Sequence, residues 1–597
     1  MVSKAGESMD VQKVSNNQGC FVSTLAWLRE SSKEAVVSSD AAFEDPYTMY
    51  MHVDRPVQDK FVSIINETYN SSQSELILLC GSVGDGKSHM LSYCKAVYPD
   101  KMDKFYVHND STASLYIDKP ASYTLMKILE AFSDERIEEN SNKVILAINL
   151  GTLNNFLEAD NDNKFGLLKK YVEKSGILDE TDGNTEKTNH FHSVNFADYH
   201  LYELTAQGAK SSYVQGILNR ITDKSKENQF YCEFCKTCGT CQAKSVCPVK
   251  INYELLSDKK IQQGIVDTLI EGIVKNKLIV STRTLLNMIY EILVDERYWS
   301  RGSLEPRKEP NKLTSLSYCE ALLPNILFNK RNSSEILDAI ASIDPMQIRN
   351  EKIDDFFVFY TNSGNTLEIF RETLPGYMKQ IKRFENTNFS DRSMYNVKES
   401  LLRLFVRTCW LTGEREDLLP KDGVYEEYMK ALYAWNTKNY RELKPIYSVV
   451  EKGTLAWNGQ ANQDEMQLST GNKKTDYHLI QRIQLKKKID KLPILEVDVL
   501  SSFKDELKLK YKYSEDKEAD LDVDFSLYKL LKTVINGYVP NTNDKQVNVK
   551  CMEFINIISQ GGSKLKEIYI RDLSQKIPKQ YKLSFDEDFC SYSFEVE

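Results

Sequence analysis

The sequence predicts an α/β protein in which a parallel sheet covered by helices is joined to a helical middle region and a smaller mixed α/β region. The first observation behind this prediction is alternation. Between residues 75 and 205, short apolar runs of strand length alternate with segments of helical period. The second is that the runs at 76–80 and 144–148 are continuously apolar, which is typical of parallel strands buried on both faces.

In chain order, a predicted helix at 60–69 ends in the polar run 70–74, after which the period becomes that of a strand. The later apolar positions 285, 286, 289, 292 and 293 share one face of another predicted helix, and strand-like segments recur near 492–500 and 581–596. Within the core, the predicted strands lie at 76–80, 104–108, 143–150 and 191–196, and the predicted helices between them lie at 88–97, 123–132 and 165–174.

These patterns divide the chain into five expected regions. The residue pattern changes at a cysteine cluster and is mostly that of helices after it. After residue 440 the sequence becomes polar and rich in Tyr and Lys. The expected regions are a helical lead-in (1–60), a sheet-containing core (61–215), a cysteine-rich metal-binding insertion (216–255), a helical lid or middle domain (256–440) and a mixed α/β C-terminal domain (441–597).

Composition limits the classes of function. The 597 residues include 86 acidic and 77 basic side chains, giving a net charge of −9 with His neutral. A chain of this sign is expected to meet nucleic acid only through a local basic patch or a partner. The longest apolar runs are far below the ~20 residues that a membrane span needs, and no apolar stretch of signal-peptide type follows Met1. We therefore expect a cytoplasmic protein without membrane contact.

A glycine-rich loop carries the clearest chemical signal. Residues 81–88 read GSVGDGKS, which fits G-x-x-x-x-G-K-[ST] at every fixed position. In such a loop the glycines let backbone N–H groups point at phosphate oxygens, a lysine (here Lys87) binds the β- and γ-phosphates, and a hydroxyl (here Ser88) ligates Mg²⁺. The loop also follows a predicted buried strand and opens a predicted helix, whose N-terminus favours anions. The sequence therefore predicts a P-loop NTPase core, AAA+-like, that binds ATP and Mg²⁺ through Gly81, Ser82, Val83, Gly84, Asp85, Gly86, Lys87, Ser88 and His89.

Hydrolysis requires further groups around the phosphates. Asp110 ends a predicted strand and is the candidate for holding Mg²⁺, while Asn149 ends the next strand and could bind the γ-phosphate or position water. Arg283 follows a Ser or Thr cap at a predicted helix start and is the candidate arginine, with Arg392 a weaker rival. The alternatives are a turn residue at Asp110, a helix cap at Asn149 and a solvated side chain at Arg283.

Five cysteines lie within sixteen residues, which indicates a metal site in a reducing compartment. Pairs of thiolates spaced in this way can share one tetrahedral ion, and Zn²⁺ is the commonest such ion. We expect a structural zinc site without a catalytic role, with an iron–sulfur cluster as the less favoured alternative. The candidate ligands are Cys232, Cys235, Cys241 and Cys247, with Cys238 optional.

Three further patterns carry weaker signals. Asp498, Glu506 and Lys508 resemble a nuclease triplet at poor spacing. Residues 482–512 carry nine basic against five acidic side chains and could contact nucleic acid, although a solvated helical face is the favoured interpretation. His190, His192 and His200 lie close in sequence, but alternation along the predicted strand from Phe191 accounts for two of them, so a metal site is not favoured.

Four stretches together resemble a known family: 28–35 (LRESSKEA), 79–89 (LCGSVGDGKSH), 108–112 (HNDST) and 146–156 (LAINLGTLNNF). Their combination resembles the DptF (DndF) family, the P-loop ATPase component of DNA phosphorothioation-dependent restriction systems in bacteria, most strongly over residues 20–300. Family members act with the companion proteins DptG and DptH to restrict DNA that lacks the host's sulfur-modified backbone.

The resemblance implies an ATPase subunit of an anti-phage defence complex, which acts on unmodified double-stranded DNA through that complex. A homo-oligomer is a further possible assembly. By this analogy, residues 81–88 bind ATP and hydrolysis drives assembly or movement on DNA. The chain lacks an evident Asp-Glu pair after a buried strand, so hydrolysis is expected to await a partner or DNA. The alternatives are a nucleotide-switched signalling or scaffold NTPase with little turnover, and a self-sufficient nuclease with an ATPase motor.

Overall fold

The computed structural model divides the chain into two units. Unit 1 comprises Met1–Tyr202, Ser211–Ile273 and Lys277–Pro420, and unit 2 comprises Glu203–Lys210, Val274–Asn276 and Lys421–Glu597. The structure describes residues 20–29, 49–82, 85–109, 121–139, 141–160, 163–177, 190–295, 312–329, 334–389, 391–459, 464–468, 476–489, 493–514, 516–562, 567–574, 578–586 and 588–596.

Unit 1 contains a four-stranded, all-parallel sheet with the strand order β2-β3-β1-β4. Residue Leu76 of the inner strand β1 pairs with Val144 of β3 on one side and with Phe191 of β4 on the other. This confirms the predicted α/β class with a parallel sheet. The strands are β1 (Glu75–Cys80), β2 (Tyr106–His108), β3 (Lys143–Ile148) and β4 (Phe191–Asn195).

Helices pack on both faces of this sheet because every residue of β1 is buried and successive side chains point to opposite faces. Leu76, Leu78 and Cys80 face a core that includes Leu125, Leu129, Leu153, Phe156, Leu168 and Val172. Ile77 and Leu79 face a second core that includes Phe61, Ile65, Met90, Leu91 and Cys94. The strand β1 thus lies between two layers of helices.

The helices of unit 1 cover the sheet and build the middle of the chain. In its described part, the stretch from 256 to 440 contains helices and no strand, as the sequence predicts. The helices are α1 (Val22–Leu25), α2 (Pro56–Thr68), α3 (Lys87–Val97), α4 (Pro99–Met102), α5 (Ala121–Leu129), α6 (Leu150–Glu158), α7 (Gly166–Ser175), α8 (Ser212–Thr222), α9 (Gln229–Thr240), α10 (Pro248–Leu256), α11 (Lys259–Asn276, whose last three residues belong to unit 2), α12 (Thr282–Leu293), α13 (Ser315–Glu320), α14 (Leu323–Phe328), α15 (Glu335–Ala341), α16 (Glu351–Asn362), α17 (Thr366–Thr373) and α18 (Tyr395–Thr412).

Unit 2 contains three smaller sheets and five helices among its described residues. The sheets have the orders β10-β5-β6, β12-β11-β9 and β15-β14-β13-β8-β7, and the described pairings within them are antiparallel. The strands are β5 (Glu203–Thr205), β6 (Gly208–Lys210), β7 (Glu465–Gln467), β8 (Tyr477–Arg482), β9 (Lys486–Lys487), β10 (Val499–Leu500), β11 (Leu507–Lys512), β12 (Glu518–Val523), β13 (Glu567–Asp572), β14 (Lys579–Asp586) and β15 (Ser591–Val596), and the helices are α19 (Gly423–Asn436), α20 (Lys444–Leu455), α21 (Phe525–Ile535), α22 (Thr542–Val547) and α23 (Val549–Gly562).

The favoured interpretation of residues 482–512 as a helical face is wrong. The described part of this stretch contains strands and no helix. Along β11, Leu507, Leu509 and Tyr511 are buried while the intervening lysines face outward, and Lys508 Nζ lies 3.1 Å from Asp520 Oδ2 on β12. The lysines recur with period two, so they mark the outer face of a half-buried strand.

None of the described helices combines the length and the apolar character needed to cross a bilayer.

Candidate functional site

The glycine-rich loop leaves the carboxyl end of β1, an inner strand of the parallel sheet, and leads into α3. Gly86, the residue before α3, has φ 96° and ψ 16°, in the left-handed region that favours glycine. A Cβ on Gly81 would lie 2.7 Å from Asp85 Oδ2 and 3.0 Å from Phe196 Cβ, so this position has no room for a side chain. The left-handed backbone at Gly86 and the lack of space at Gly81 therefore explain why glycine occupies these two positions of the motif. Val83 and Gly84 lie outside the described residues.

Lys87 begins α3 and its side chain turns back over the loop. The ammonium Nζ donates to the carbonyl oxygen of Gly81 at 2.9 Å and to that of Ser82 at 2.6 Å. Burial lowers the pKa of Lys87, and the neighbouring Asp85 carboxylate opposes this change. The cation is thus held over the loop backbone. Ser88 and His89 follow it on the first turn of the helix.

Asp85 places a carboxylate in the same loop. Its Oδ2 accepts a hydrogen bond from the backbone N–H of Ser82 at 2.5 Å. Burial raises the pKa of Asp85, against the effects of that hydrogen bond and of the charges on Lys87 and Arg55. A backbone N–H of the loop therefore already serves an anionic group, which is the kind of interaction that a phosphate oxygen would make.

Asn149 lies beside the loop because β3 is the direct neighbour of β1. The N–H of Gly81 donates to the carbonyl oxygen of Ile148 at 3.2 Å. Asn149 is also the N-cap of α6, and its Oδ1 accepts a hydrogen bond from the N–H of Thr152 at 2.7 Å. The alternative interpretation of Asn149 as a helix cap is therefore correct for its side-chain oxygen. The amide Nδ2 is the group of Asn149 that could donate to a phosphate oxygen.

Asp110 lies outside the described residues, so its assignment to Mg²⁺ stays a prediction. The strand that precedes it, β2, ends at His108 and is separated from β1 by β3. The carboxyl end of β2 lies at the edge at which open α/β sheets bind their ligands.

Arg283 lies on the first turn of α12, behind the cap that the sequence predicts. Ser281 is the N-cap, and its Oγ accepts a hydrogen bond from the N–H of Thr284 at 3.1 Å. The hydroxyl of Thr282 lies 2.9 Å from the hydroxyl of Tyr213, a residue whose ring also contacts Arg55 (below). The weaker candidate Arg392 lies in a 3-10 helix, Arg392–Met394.

The structure brings Arg55, which the sequence analysis missed, onto the loop. Its Nη1 donates to the carbonyl oxygen of Asp85 at 2.9 Å. The guanidinium carbon lies 5.7 Å from the ring centre of Phe196 and 5.2 Å from that of Tyr213. The sequence contains no signal for this contact, because Arg55 precedes the loop by a whole helix and strand and belongs to no motif.

A histidine pair joins the segment before α2 to α3. His52 Nδ1 lies 3.1 Å from His89 Nε2, and the His52 ring stacks on Tyr93 with 3.6 Å between ring centres. Burial lowers the pKa of His89 to about 4 and also lowers the pKa of His52, so both rings are neutral at pH 7 and one can donate to the other. His89 therefore has a packing role next to the loop.

The cysteine segment forms the end of α9 and the turn into α10. Cys232, Cys235 and Cys238 lie on α9, Cys241 follows its end and Cys247 is the N-cap of α10. Cys238 and Cys247 are buried, whereas Cys235 and Cys241 are exposed. In the part of the chain that the structure describes, no three His, Cys, Asp or Glu side chains are gathered in an arrangement that could hold a metal ion.

Cys20 is a further thiol at this place that the sequence analysis missed. Its neighbour Phe21 packs its ring 5.4 Å from that of Phe234 on α9 and 5.0 Å from that of Tyr253 on α10. Burial raises the pKa of Cys20, and the nearby Cys241 raises it further. The separation in sequence from the other cysteines hid this proximity.

The weaker patterns do not converge on sites. His190 Nε2 bonds to Glu138 at 3.2 Å, and His192 Nε2 bonds to Glu75 at 2.8 Å. His190, which precedes β4, and His192, which lies on it, thus bond to separate carboxylates. Lys508 of the nuclease-like triplet is paired with Asp520, as described above.

Fold and site together define a mixed α/β protein with a glycine-rich loop and a lysine at the carboxyl end of an inner parallel strand. Comparisons with family models, with curated proteins and with solved structures find no match for the chain.

Proposed function

We propose that this protein is a P-loop NTPase that binds and hydrolyses ATP with Mg²⁺ as a subunit of a bacterial phosphorothioation-dependent DNA restriction complex. The supporting observation is the position of Lys87. Its ammonium lies within 2.9 Å of two loop carbonyls, between an inner parallel strand and the start of α3. Open α/β sheets bind ligands at this edge, and helix N-termini there favour phosphate.

In this proposal, different groups of the chain bind the phosphates, hold Mg²⁺ and position the attacking water. Lys87 exchanges its loop carbonyls for phosphate oxygens, and the N–H of Ser82 exchanges the Asp85 carboxylate for another. The Ser88 hydroxyl and Asp110 would hold Mg²⁺, which neutralises charge on the phosphates when bound. Asn149 Nδ2 would donate to the γ-phosphate or to the attacking water. The role in restricting unmodified DNA, with DptG- and DptH-like companions, comes from the family resemblance alone.

The first experiment is titration calorimetry of the purified full-length protein with Mg·ATP, followed by turnover measurements. We expect saturable binding and a turnover rate that rises when double-stranded DNA and the companion proteins are added. Mg·AMP serves as the comparison ligand, since it lacks the β- and γ-phosphates that Lys87 would bind. Absence of Mg·ATP binding would contradict the proposal.

A nucleotide-switched scaffold is the second candidate, and the cap at Asn149 favours it. The strand beside the loop ends in an amide whose oxygen is engaged with Thr152, so it supplies no base for hydrolysis. Such a switch would bind Mg·ATP but turn over slowly with and without DNA and companions. The turnover measurement separates the two candidates.

We also propose a structural zinc ion for the cysteine segment. Cys238 and Cys247 are buried close to the turn that carries Cys241, and the Phe21 packing brings Cys20 to the same pair of helices. A structural zinc ion takes four tetrahedral ligands, which four such thiolates can supply. Among the described residues, the thiols do not form a group that could hold a metal ion. Metal binding would therefore require their side chains to turn toward one another.

Metal analysis of the purified protein is expected to find about one zinc ion per chain. Cys247→Ser should lose most of this zinc, because Cys247 belongs to the expected ligand set and lies at the start of α10. Cys551→Ser, which changes a buried thiol of α23, is the matched control and should retain it. Iron with visible absorbance would indicate the cluster alternative, and a protein free of both metals would contradict the proposed site.

A further inference from the structure

Arg55 reaches the loop from the segment before α2. It precedes the helix in an extended conformation (φ −124°, ψ 146°). Besides the bond from Nη1 to the Asp85 carbonyl, its Nη2 donates to the carbonyl oxygen of Tyr199 at 3.4 Å. A Cβ placed on Gly86 would lie 3.8 Å from the same Nη1. The guanidinium therefore lies against the residues that lead into α3.

The contacts of Arg55 hold the guanidinium in place and leave it donors for a ligand. Phe196 and Tyr213 both present their rings to it, and stacking fixes the plane of a guanidinium without using its N–H groups. Its two hydrogen bonds go to carbonyl oxygens, and among the described residues it forms no ion pair. A guanidinium has five N–H donors and carries a positive charge.

The histidine pair keeps this arrangement next to the loop. His52, three residues before Arg55, bonds to His89 and stacks on Tyr93, both on α3. His52 Nε2 also lies 3.2 Å from Asp54 Oδ1, which accepts a second hydrogen bond from Gln58 on α2 at 2.9 Å. The contacts of His52 therefore hold the segment that contains Arg55 against α3, the helix that begins at Lys87.

We propose that Arg55 is a phosphate-binding residue of the nucleotide site, acting beside Lys87 on the phosphate chain; this inference rests on the proposed function. Lys87 supplies a compact point charge, whereas the planar fork of Arg55 can contact two phosphate oxygens at once. Arg283 was the arginine expected from sequence. Among the described residues, however, it forms no hydrogen bond or ion pair with the loop, and Arg55 does.

The test compares Arg55→Gln with the unaltered protein in binding Mg·ATP and Mg·tripolyphosphate by calorimetry. Glutamine keeps a polar side chain with N–H donors but removes the charge. We expect affinity for both ligands to fall about ten- to hundred-fold, and the affinity to depend less on ionic strength. Arg482→Ala, which removes another arginine stacked on a ring, that of Tyr569, should leave both affinities unchanged. Arg55→Lys should recover part of the loss.

The outcomes separate this inference from the proposed function. If the unaltered protein does not bind Mg·ATP, the proposed function fails and the inference fails with it. If the unaltered protein binds and Arg55→Gln binds equally well, the inference alone is overturned. A loss confined to Mg·ATP, with tripolyphosphate binding unchanged, would also overturn it, because the arginine would then act on the nucleoside. Equal thermal midpoints for the variants exclude misfolding as the cause.

Discussion

Replacement of Lys87 by alanine is expected to reduce ATP turnover at least ~10-fold when it is measured with DNA present, because removing a cation that stabilises transition-state charge costs a few kcal/mol. The structure supports this expectation since the ammonium lies directly over the loop, bonded to the carbonyl oxygens of Gly81 and Ser82. The measurement is the steady-state rate of phosphate release from Mg·ATP.

The matched control is Lys95→Ala, which removes a lysine from the last turn of the same helix. It should leave the turnover rate unchanged, and both variants should melt at a temperature close to that of the parent. A Lys87→Ala protein that is folded and turns over ATP at the parental rate would contradict the assignment of this loop to phosphate binding.

Replacement of Arg407 by alanine is expected to lower the free energy of unfolding of unit 1 by about 3–5 kcal/mol, because it leaves a buried carboxylate without its partner. The Arg407 side chain is 5% exposed and that of Asp344 is 11% exposed. Arg407 Nη2 donates to Asp344 Oδ2 at 2.6 Å and Nε to Oδ1 at 3.2 Å, while Nη1 donates to Asn325 Oδ1 at 3.0 Å. The Arg407 guanidinium thus links α18 to α14 and to the segment after α15.

Urea unfolding followed by fluorescence measures this change, with the transition of unit 1 fitted separately because a chain with two units need not unfold in one step. Arg403→Ala is the control on the same helix, α18. Its ion pair with Glu399 is 44% exposed on each side, so the change should stay within about 1 kcal/mol. Equal effects of the two substitutions would show that burial does not set the strength of the Arg407 interaction.

The local part of the site could be predicted from sequence because its signals are local. The continuous apolar runs indicate strands, and the loop motif fixes Gly81, Gly86 and Lys87 through spacing alone. The place of Arg283 on the first turn of α12 also follows from the capping residue type just before it, Ser281. Each of these inferences uses residues within one turn or one strand of each other, where chain geometry limits the alternatives.

The rest of the site depends on contacts between distant segments, which spacing does not encode. Asn149 lies beside the loop only because β3 pairs directly with β1, and strand order cannot be read from the strands themselves. Arg55 is placed by packing against the rings of Phe196 and Tyr213, and Cys20 by the ring contacts of its neighbour Phe21. Residues 482–512 were expected to be a helix because charge density outweighed the period-two alternation of Leu507, Leu509 and Tyr511, which was the informative signal.

The pairing of β1 has a consequence for how the chain is made. Both neighbours of β1, the strands β3 and β4, follow it in sequence, and the second ends only at Asn195. One edge of β1 therefore stays unpaired until the ribosome has synthesised residue 195. An unpaired apolar strand can pair with another chain and aggregate. Nascent chains shorter than this are therefore expected to need a chaperone, and the loop to acquire its final geometry only after β4 has docked.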